Sequence, residues 1–410
     1  MTFTAEPAEA RIDEASNILV APSMAQASRL IPDFFGSVVT AEDVVSGAAD
    51  LRQKSVYLSG DVSGIRARDL HFAERVLVIR ELAHGYEEGA EFPWTFVDLG
   101  RAPLRVHGLG VLYPRFFPIE VDHFGRISAE HTLQSLTEST KSGTAHRSGI
   151  YLTPVKRKGE ELHFRLLRCS TNLSGPTESF GPTDRDIVDG LNREAATVFR
   201  NDAPLNHVLA QIYHNTHATA ERKQSKARIA AHADKTKDMP ANGVMAFCTF
   251  YDGLDKLQPP AEGSFDYGFR GVSGLTTLRF RLKDPAADRD GVALPAHFTV
   301  PLYPGSVFFM PLSTNRLYTH EIRPSALDAE LLPTRLGYVV RCSSTEAVHK
   351  DGTTFLKMGG DLVRLEPPTP DGMDDLRRLY AEENRTSSFI DYGGKFLFSM
   401  NTGDYVAPGV

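Results

Sequence analysis

The chain has 410 residues, 41% hydrophobic and 24% charged, with 45 Lys+Arg against 52 Asp+Glu and a formal net charge of −7. These are ordinary globular values; they exclude a disordered, collagenous or coiled-coil protein and leave room for two domains or one elaborated domain. The acidic balance argues against a protein that grips nucleic acid through its overall charge, although a local basic patch stays open.

Residues 1–17 are polar and acidic, so a flexible N-terminus is expected, without the positive and apolar pattern of a signal peptide. No apolar run approaches the ~20 residues needed to cross a bilayer. The three cysteines, Cys169, Cys248 and Cys342, are too scattered for a disulfide framework or a cysteine-rich metal site. A cytoplasmic protein with no membrane partner is the expectation.

Residues 18–202 read as an α+β region packing on a core that follows. Within it, residues 69–83 carry Leu70, Ala73, Val76, Leu77 and Leu82 at near-helical spacing and predict a helix. Residues 148–155 and 162–169 predict two strands joined as a hairpin through 156–161. Residues 183–200 open on a Thr-Asp cap and predict an amphipathic helix. The single tryptophan, Trp94, reads as a core residue.

From residue 203 the texture changes to short β runs punctuated by Gly, Pro and Asp. The runs are 205–213, 228–234, 244–251, 275–283, 297–302, 306–311, 316–323 and 335–343. Eight strand-length segments with no long helix between them predict an antiparallel sandwich or jelly roll over residues 203–345. The expected class is therefore α+β, mainly β, with helical and β additions from the N-terminal half. Residues 346–410 form a C-terminal extension, Pro-rich near 366 and helical over 371–384.

With 14 histidines and 52 acids in 410 residues, about two His-x-Asp/Glu matches are expected by chance, so the motif needs its context. His232-Ala-Asp234 ends a predicted strand, where residues i and i+2 share a face. His320, on a later strand, supplies a third ligand. Two histidines and one carboxylate form the facial triad that suits non-haem Fe(II). His349-Lys-Asp351 follows the last predicted strand and reads as a surface coincidence.

Arg335 and Arg341 are six apart on a predicted strand, an even offset that turns both to one face. Two arginines on the inner face of a sandwich call for anions, and a dicarboxylate supplies two. Arg323 is a rival partner for a carboxylate.

At this point the chain resembles the AlkB-type branch of the Fe(II)/2-oxoglutarate-dependent oxygenases. The stretches that carry the likeness are Gln211-Ile-Tyr213, His232-Ala-Asp234, Asn315 to His320, and Arg335 to Arg341, in the family's order. The resemblance covers residues 203–345. It implies a double-stranded β-helix core in which His232, Asp234 and His320 hold iron and act as the catalytic centre. Arg335, Arg341, Tyr213 and Gln211 would then bind 2-oxoglutarate, with Gln211 standing where the family has Asn. The implied reaction couples oxidative decarboxylation of 2-oxoglutarate by O2 to oxidation of a substrate C–H bond, by hydroxylation or oxidative dealkylation. The carboxylate at 234 argues against halogenation.

Longer connections than in the nucleic-acid repair members flank His232-Ala-Asp234, and such insertions shape specificity. A basic cluster beside the motif (Arg222, Lys223, Lys226, Arg228, Lys235, Lys237) offers an anion site for substrate. Lys235, Lys237, Arg228, His214 and His217 are the candidate substrate contacts. The expected substrate is a small, anionic molecule such as a nucleoside or nucleotide, an amino acid or a natural-product intermediate. The competing readings are an AlkB-type nucleic-acid demethylase or base hydroxylase, and a non-catalytic jelly-roll binding protein.

Overall fold

The computed structural model describes residues 9–410 except 22, 24–30, 87–93, 138–143, 169–172, 222, 285–287 and 290–291. Eight strands dominate its second half: β1 (His207–Tyr213), β2 (Ile229–His232), β3 (Val244–Asp252), β4 (Thr277–Leu282), β5 (His297–Pro301), β6 (Val307–Pro311), β7 (Tyr318–Arg323) and β8 (Thr334–Arg341). They divide into two antiparallel groups. β2-β7-β4-β5 make a four-stranded sheet, while β1-β8-β3-β6 form the centre of a nine-stranded one.

The strand period of two sorts side chains between layers. In β1, Val208, Ala210 and Ile212 point away from the second sheet. They pack with Ile187, Leu191, Ala195 and Val198 of helix α1 (Pro182–Val198). On the opposite face, Met245, Phe247, Phe308 and Met310 meet Leu278, Phe280, Phe298 and Tyr318 of the smaller sheet. Each fully buried side chain of this size contributes about 1.5–3 kcal/mol. The result is three layers, helix on sheet on sheet, with the site in the last interface.

The nine-stranded sheet recruits strands from the N-terminal half: Thr144–Thr153 joins beside β1, and Gly110–Tyr113 beside β6. Ahead of these lies a parallel sheet ordered Ser37–Thr40, Asn17–Ala21, Ser55–Asp61, Arg75–His84, Thr95–Val97. Its fourth strand corrects the helix expected over 69–83. Val76 and Val78 face one core, with Trp94, while Leu77 and Ile79 face another. A strand buried on both faces loses the polar alternation that marks strands, and its leucines then mimic helical spacing.

The expected 156–161 hairpin is also corrected. Lys156–Lys158 pairs with Glu161–Leu166 through a two-residue loop, with Gly159 at φ 60°. Strand Thr144–Thr153, before Pro154, belongs to a different sheet. The N-terminal stretch is paired from Arg11, with Arg11–Ile12 against Phe199–Arg200 and Asp13 bound to Arg200 at 2.6 Å. Three more strands follow β8. His349 is buried on the first, at 3.0 Å from the Thr354 hydroxyl, so it is no surface residue, whereas Asp351 does sit in an exposed turn. Helix α2 (Pro370–Arg385) follows. Cys248 and Cys342 are buried free thiols, and Cys169 lies outside the described residues. No helix among the described residues is long and apolar enough to cross a membrane.

Candidate metal centre

β2 and β7 are neighbours, and their register sets His232 opposite His320. The two ring centroids stand 4.5 Å apart. Asp234 lies just past the end of β2, and one ligand atom from each of the three residues lies within 4.8 Å of the others.

His320 is wedged between Phe247 and Phe280, with ring centroids 5.6 and 5.7 Å from its own. Burial pushes its imidazole down to about 3, helped by the neighbouring His232. It is therefore neutral near pH 7, as a metal ligand must be. Its Nδ1 is buried with no hydrogen-bond partner. Nδ1 of His232 donates to the Ala230 carbonyl at 2.9 Å. That bond orients the ring and turns Nε2 towards Asp234 Oδ1, 3.5 Å away.

Burial works to raise the Asp234 carboxyl, but Arg341 and the two histidines outweigh it and hold it well below the usual carboxylate range. Arg341 donates from Nε and Nη2 to Oδ2, at 2.9 and 2.7 Å. Oδ1 stays on the histidine side. The backbone at 234 is equally constrained. Asn315 accepts from the Asp234 N–H at 2.8 Å and donates to its carbonyl at 2.9 Å. From α2, Asn384 accepts from Ala233 N–H at 2.7 Å and Glu383 from Thr236 N–H at 3.2 Å. Two imidazoles, that of His320 neutral, and one ionised carboxylate, held in place and with a buried nitrogen on His320 that has no partner, fit a divalent ion such as Fe(II).

Arg335 sits beside this set on β8. Its guanidinium carbon lies 3.8 Å from the centre of the Tyr213 ring. Its Nε and Nη2 are buried without a partner. Leaving charged donors unpaired in the interior costs about 1–3 kcal/mol or more each, so the geometry asks for an anion. Tyr213 donates its hydroxyl to Gln211 Oε1 at 3.2 Å. Gly337, opposite Gln211 in the register, makes room: a Cβ there would come within 2.8 Å of Arg335 Nη1 and 3.2 Å of Tyr213 Cε2.

The triad, Arg335, Gln211 and Tyr213 line one cavity of about 660 Å³. Arg341 lines it as well, but two of its nitrogens are engaged by Asp234 rather than offered to a second anion. Among the expected substrate contacts, Arg228 and Lys235 line the cavity, and Lys235 also donates to the Tyr380 carbonyl at 3.3 Å.

Lys237 does not line it. It is paired with Asp238 at 3.1 Å, which Arg168 also holds at 2.6 Å. His214 contacts the Ser148 hydroxyl at 2.9 Å and His217 is exposed, both outside the cavity lining. Arg323 pairs with Glu321 at 2.7 Å on the surface. Lys226 donates to the carbonyls of Ser325 and Leu327 at 2.8 and 2.9 Å, and Arg222 lies outside the described residues.

Sequence reasoning missed Asn315, Gly337, Glu383, Asn384 and Arg147, which also lines the cavity. Only Gly337 left a trace, a glycine inside a strand, which often marks close approach by another group.

No family model matches the sequence, and no curated protein matches it. Among solved structures, the chain is similar to the non-heme alpha ketoglutarate dependent epimerase SnoN from nogalamycin biosynthesis. The identity is 14% and the TM-score 0.31, over 58% of this chain and 79% of that one. It is similar also to OsALKBH1, at 13% identity and a TM-score of 0.31, over 58% of this chain and 99% of that one.

Proposed function

We propose that the packed sheets form a double-stranded β-helix and that the protein is an Fe(II)- and 2-oxoglutarate-dependent oxygenase acting on a C–H bond of a small molecule. The strand orders β1-β8-β3-β6 and β2-β7-β4-β5 support the fold reading, because the chain crosses from sheet to sheet at every connection but β4–β5. The core runs over residues 203–345, with 18–202 and 346–410 packed on it.

The observation that carries the chemistry is Arg335: a buried, unpaired guanidinium in the same cavity as a metal-competent triad. His232, Asp234 and His320 would hold the iron, and Arg335 would take a carboxylate of 2-oxoglutarate. When bound, the pair supplies the oxidising power with O2. Tyr213 supports the Arg335 plane from below, a cation–π contact worth about 0.5–2 kcal/mol. Arg341 keeps Asp234 ionised and aims its free oxygen. Phe247 and Phe280 exclude water from around His320.

Fe(II) and 2-oxoglutarate added without oxygen are expected to give a visible charge-transfer band that His232→Ala abolishes. Absence of the band from the wild-type protein would end the proposal. Turnover of 2-oxoglutarate stimulated only by methylated oligonucleotides would replace the small molecule with nucleic acid.

A further inference from the structure

The proposed reaction leaves charge in the cavity unused. Arg147 lies on strand Thr144–Thr153, which pairs with β1 on the side away from β8. The register sets Arg147 opposite Tyr213, and Tyr213 opposite Arg335. Two residues on, Gly149 lies opposite Gln211, and Gln211 opposite Gly337. β1 is thus flanked on both sides by the same sequence pattern, Arg147-Ser-Gly149 and Arg335-Leu-Gly337, in step and with both arginines lining the cavity, although a Cβ at Gly149 would meet Gln211 and Leu136 rather than its arginine.

In each copy an arginine is followed on the same face by a glycine. At strand spacing of about 4.8 Å, the two arginine backbones are about 10 Å apart. That is room for two separate anions, one at each arginine.

Three further facts bear on what the second arginine takes. Among the described residues, Arg147 has no hydrogen-bond or ion-pair partner, and neither has Arg228, which lines the same cavity from its exposed side. Asp234 is the one carboxylate among the cavity-lining residues, against five cationic side chains, and it is engaged by Arg341. Next along the strands from Arg147 come Gly149 and Gln211, and beyond them Tyr151, Leu209 and Val339 make a mainly apolar floor.

Resting on the oxygenase reading of the same cavity, we propose that Arg147, with Arg228 at the mouth, is the substrate's anchor. It binds a carboxylate or phosphate at one end of a molecule whose apolar body crosses Leu209 and Tyr151 towards the iron. Specificity then comes from charge at one end and oxidation at the other.

The test uses the full chain with Fe(II) and saturating 2-oxoglutarate, without oxygen, so that Arg335 is occupied. Benzoate, phenyl phosphate and benzamide are titrated calorimetrically. An anion of at least one kind is expected to bind and the neutral amide not to. The relative affinities of benzoate and phenyl phosphate tell the carboxylate from the phosphate source.

Arg147→Gln is expected to weaken anion binding by on the order of tenfold or more, Arg147→Lys less, and Arg228→Gln by a few-fold, with the charge-transfer band unchanged. The proposal fails if neither anion binds, if benzamide binds equally, or if anion affinity ignores Arg147 and follows Arg335 alone. Loss of the band from the wild-type protein while Arg147-dependent anion binding persists would sink the oxygenase reading and leave the subsite standing. Arg147→Lys keeps the test valid if the glutamine variant does not fold.

Discussion

Two clusters of three among the described residues bring histidine and carboxylate within ligating distance of one another, and only one keeps a lone pair to spare. His232, Asp234 and His320 form the first; Glu130, His131 and Asp184 form the second. In the second every relevant group is spent. His131 faces Glu178 through Nδ1 at 3.0 Å and Asp184 through Nε2 at 2.6 Å. Asp184 also accepts from the Tyr338 hydroxyl at 2.8 Å and the Gly181 N–H at 2.7 Å. Glu130 is taken by the Thr183 hydroxyl and N–H. Burial would lower the His131 pKa, but the two carboxylates outweigh it and raise it, which favours the imidazolium, and both ring nitrogens are already engaged by carboxylates. The first cluster has the reverse balance: apolar walls, a neutral imidazole and a buried nitrogen without a partner. Ligand types do not make a site; spare lone pairs beside a cavity do.

The sharpest way to break that contrast is to remove one histidine from each cluster. His320→Ala is expected to abolish stoichiometric Fe(II) binding, measured by metal analysis after anaerobic loading. His131→Gln is expected to leave the iron content intact and cost about 1–3 kcal/mol of stability, because it strands buried carboxylates. Equal iron loss in both variants would erase the distinction.

Next in size is Arg335→Gln. It is expected to lower 2-oxoglutarate affinity by on the order of 10- to 100-fold with Fe(II) binding retained, the loss appropriate to a charge-assisted pair. A 2-oxoglutarate titration of the charge-transfer band reads it directly.

The strands of the sandwich were legible because β1 to β8 are short and separated by Gly, Pro and Asp, and because β4, β5 and β7 keep the inside–outside alternation. His232 with Asp234, and Arg335 with Arg341, were legible because an offset of two or six on a strand fixes a shared face. Their partners were not. Asn315 lies in the short helix Leu312–Leu317, inside a stretch that read partly as strand, and Asn384 sits more than a hundred residues from the backbone it holds. Nothing local in the sequence marks either. Arg147 fell one residue before the predicted strand, and its meaning lies in a register with Tyr213 that only pairing reveals. The strand Arg75–His84 misled because burial on two faces removes the pattern from which strands are read.

Asn384 offers a test of how far the proposed metal site extends beyond the sheets. Asn384→Ala removes the acceptor that holds the Ala233 N–H and is expected to weaken Fe(II) affinity by about tenfold, as outer-shell losses do. The imidazolium cluster has a pH signature of its own. Because the His131 pKa is raised in the folded state, its stabilisation is complete below about 6.5, its ordinary value, and is lost as pH rises through the folded value. The gap in thermal midpoint between wild type and His131→Gln should therefore be widest near pH 6 and narrow as the solution becomes alkaline. A gap that widens with pH would mean that the ring is neutral.

The smallest expected effect is the most specific. Gly337→Ala adds one methyl group to a central strand, where φ is not positive and alanine meets no backbone penalty. The nearest atom to the new Cβ is the far end of a flexible side chain, Arg335 Nη1 at 2.8 Å, followed by the Tyr213 ring at 3.2 Å. The guanidinium swings aside at little cost in stability, but it leaves the position in which it lies flat over Tyr213. Folding and Fe(II) binding should survive while 2-oxoglutarate affinity falls a few-fold, a loss of about 1 kcal/mol. A variant that binds 2-oxoglutarate as well as wild type would show that the observed Arg335 pose is not the one that meets the cofactor, and would move the anion to another part of the cavity.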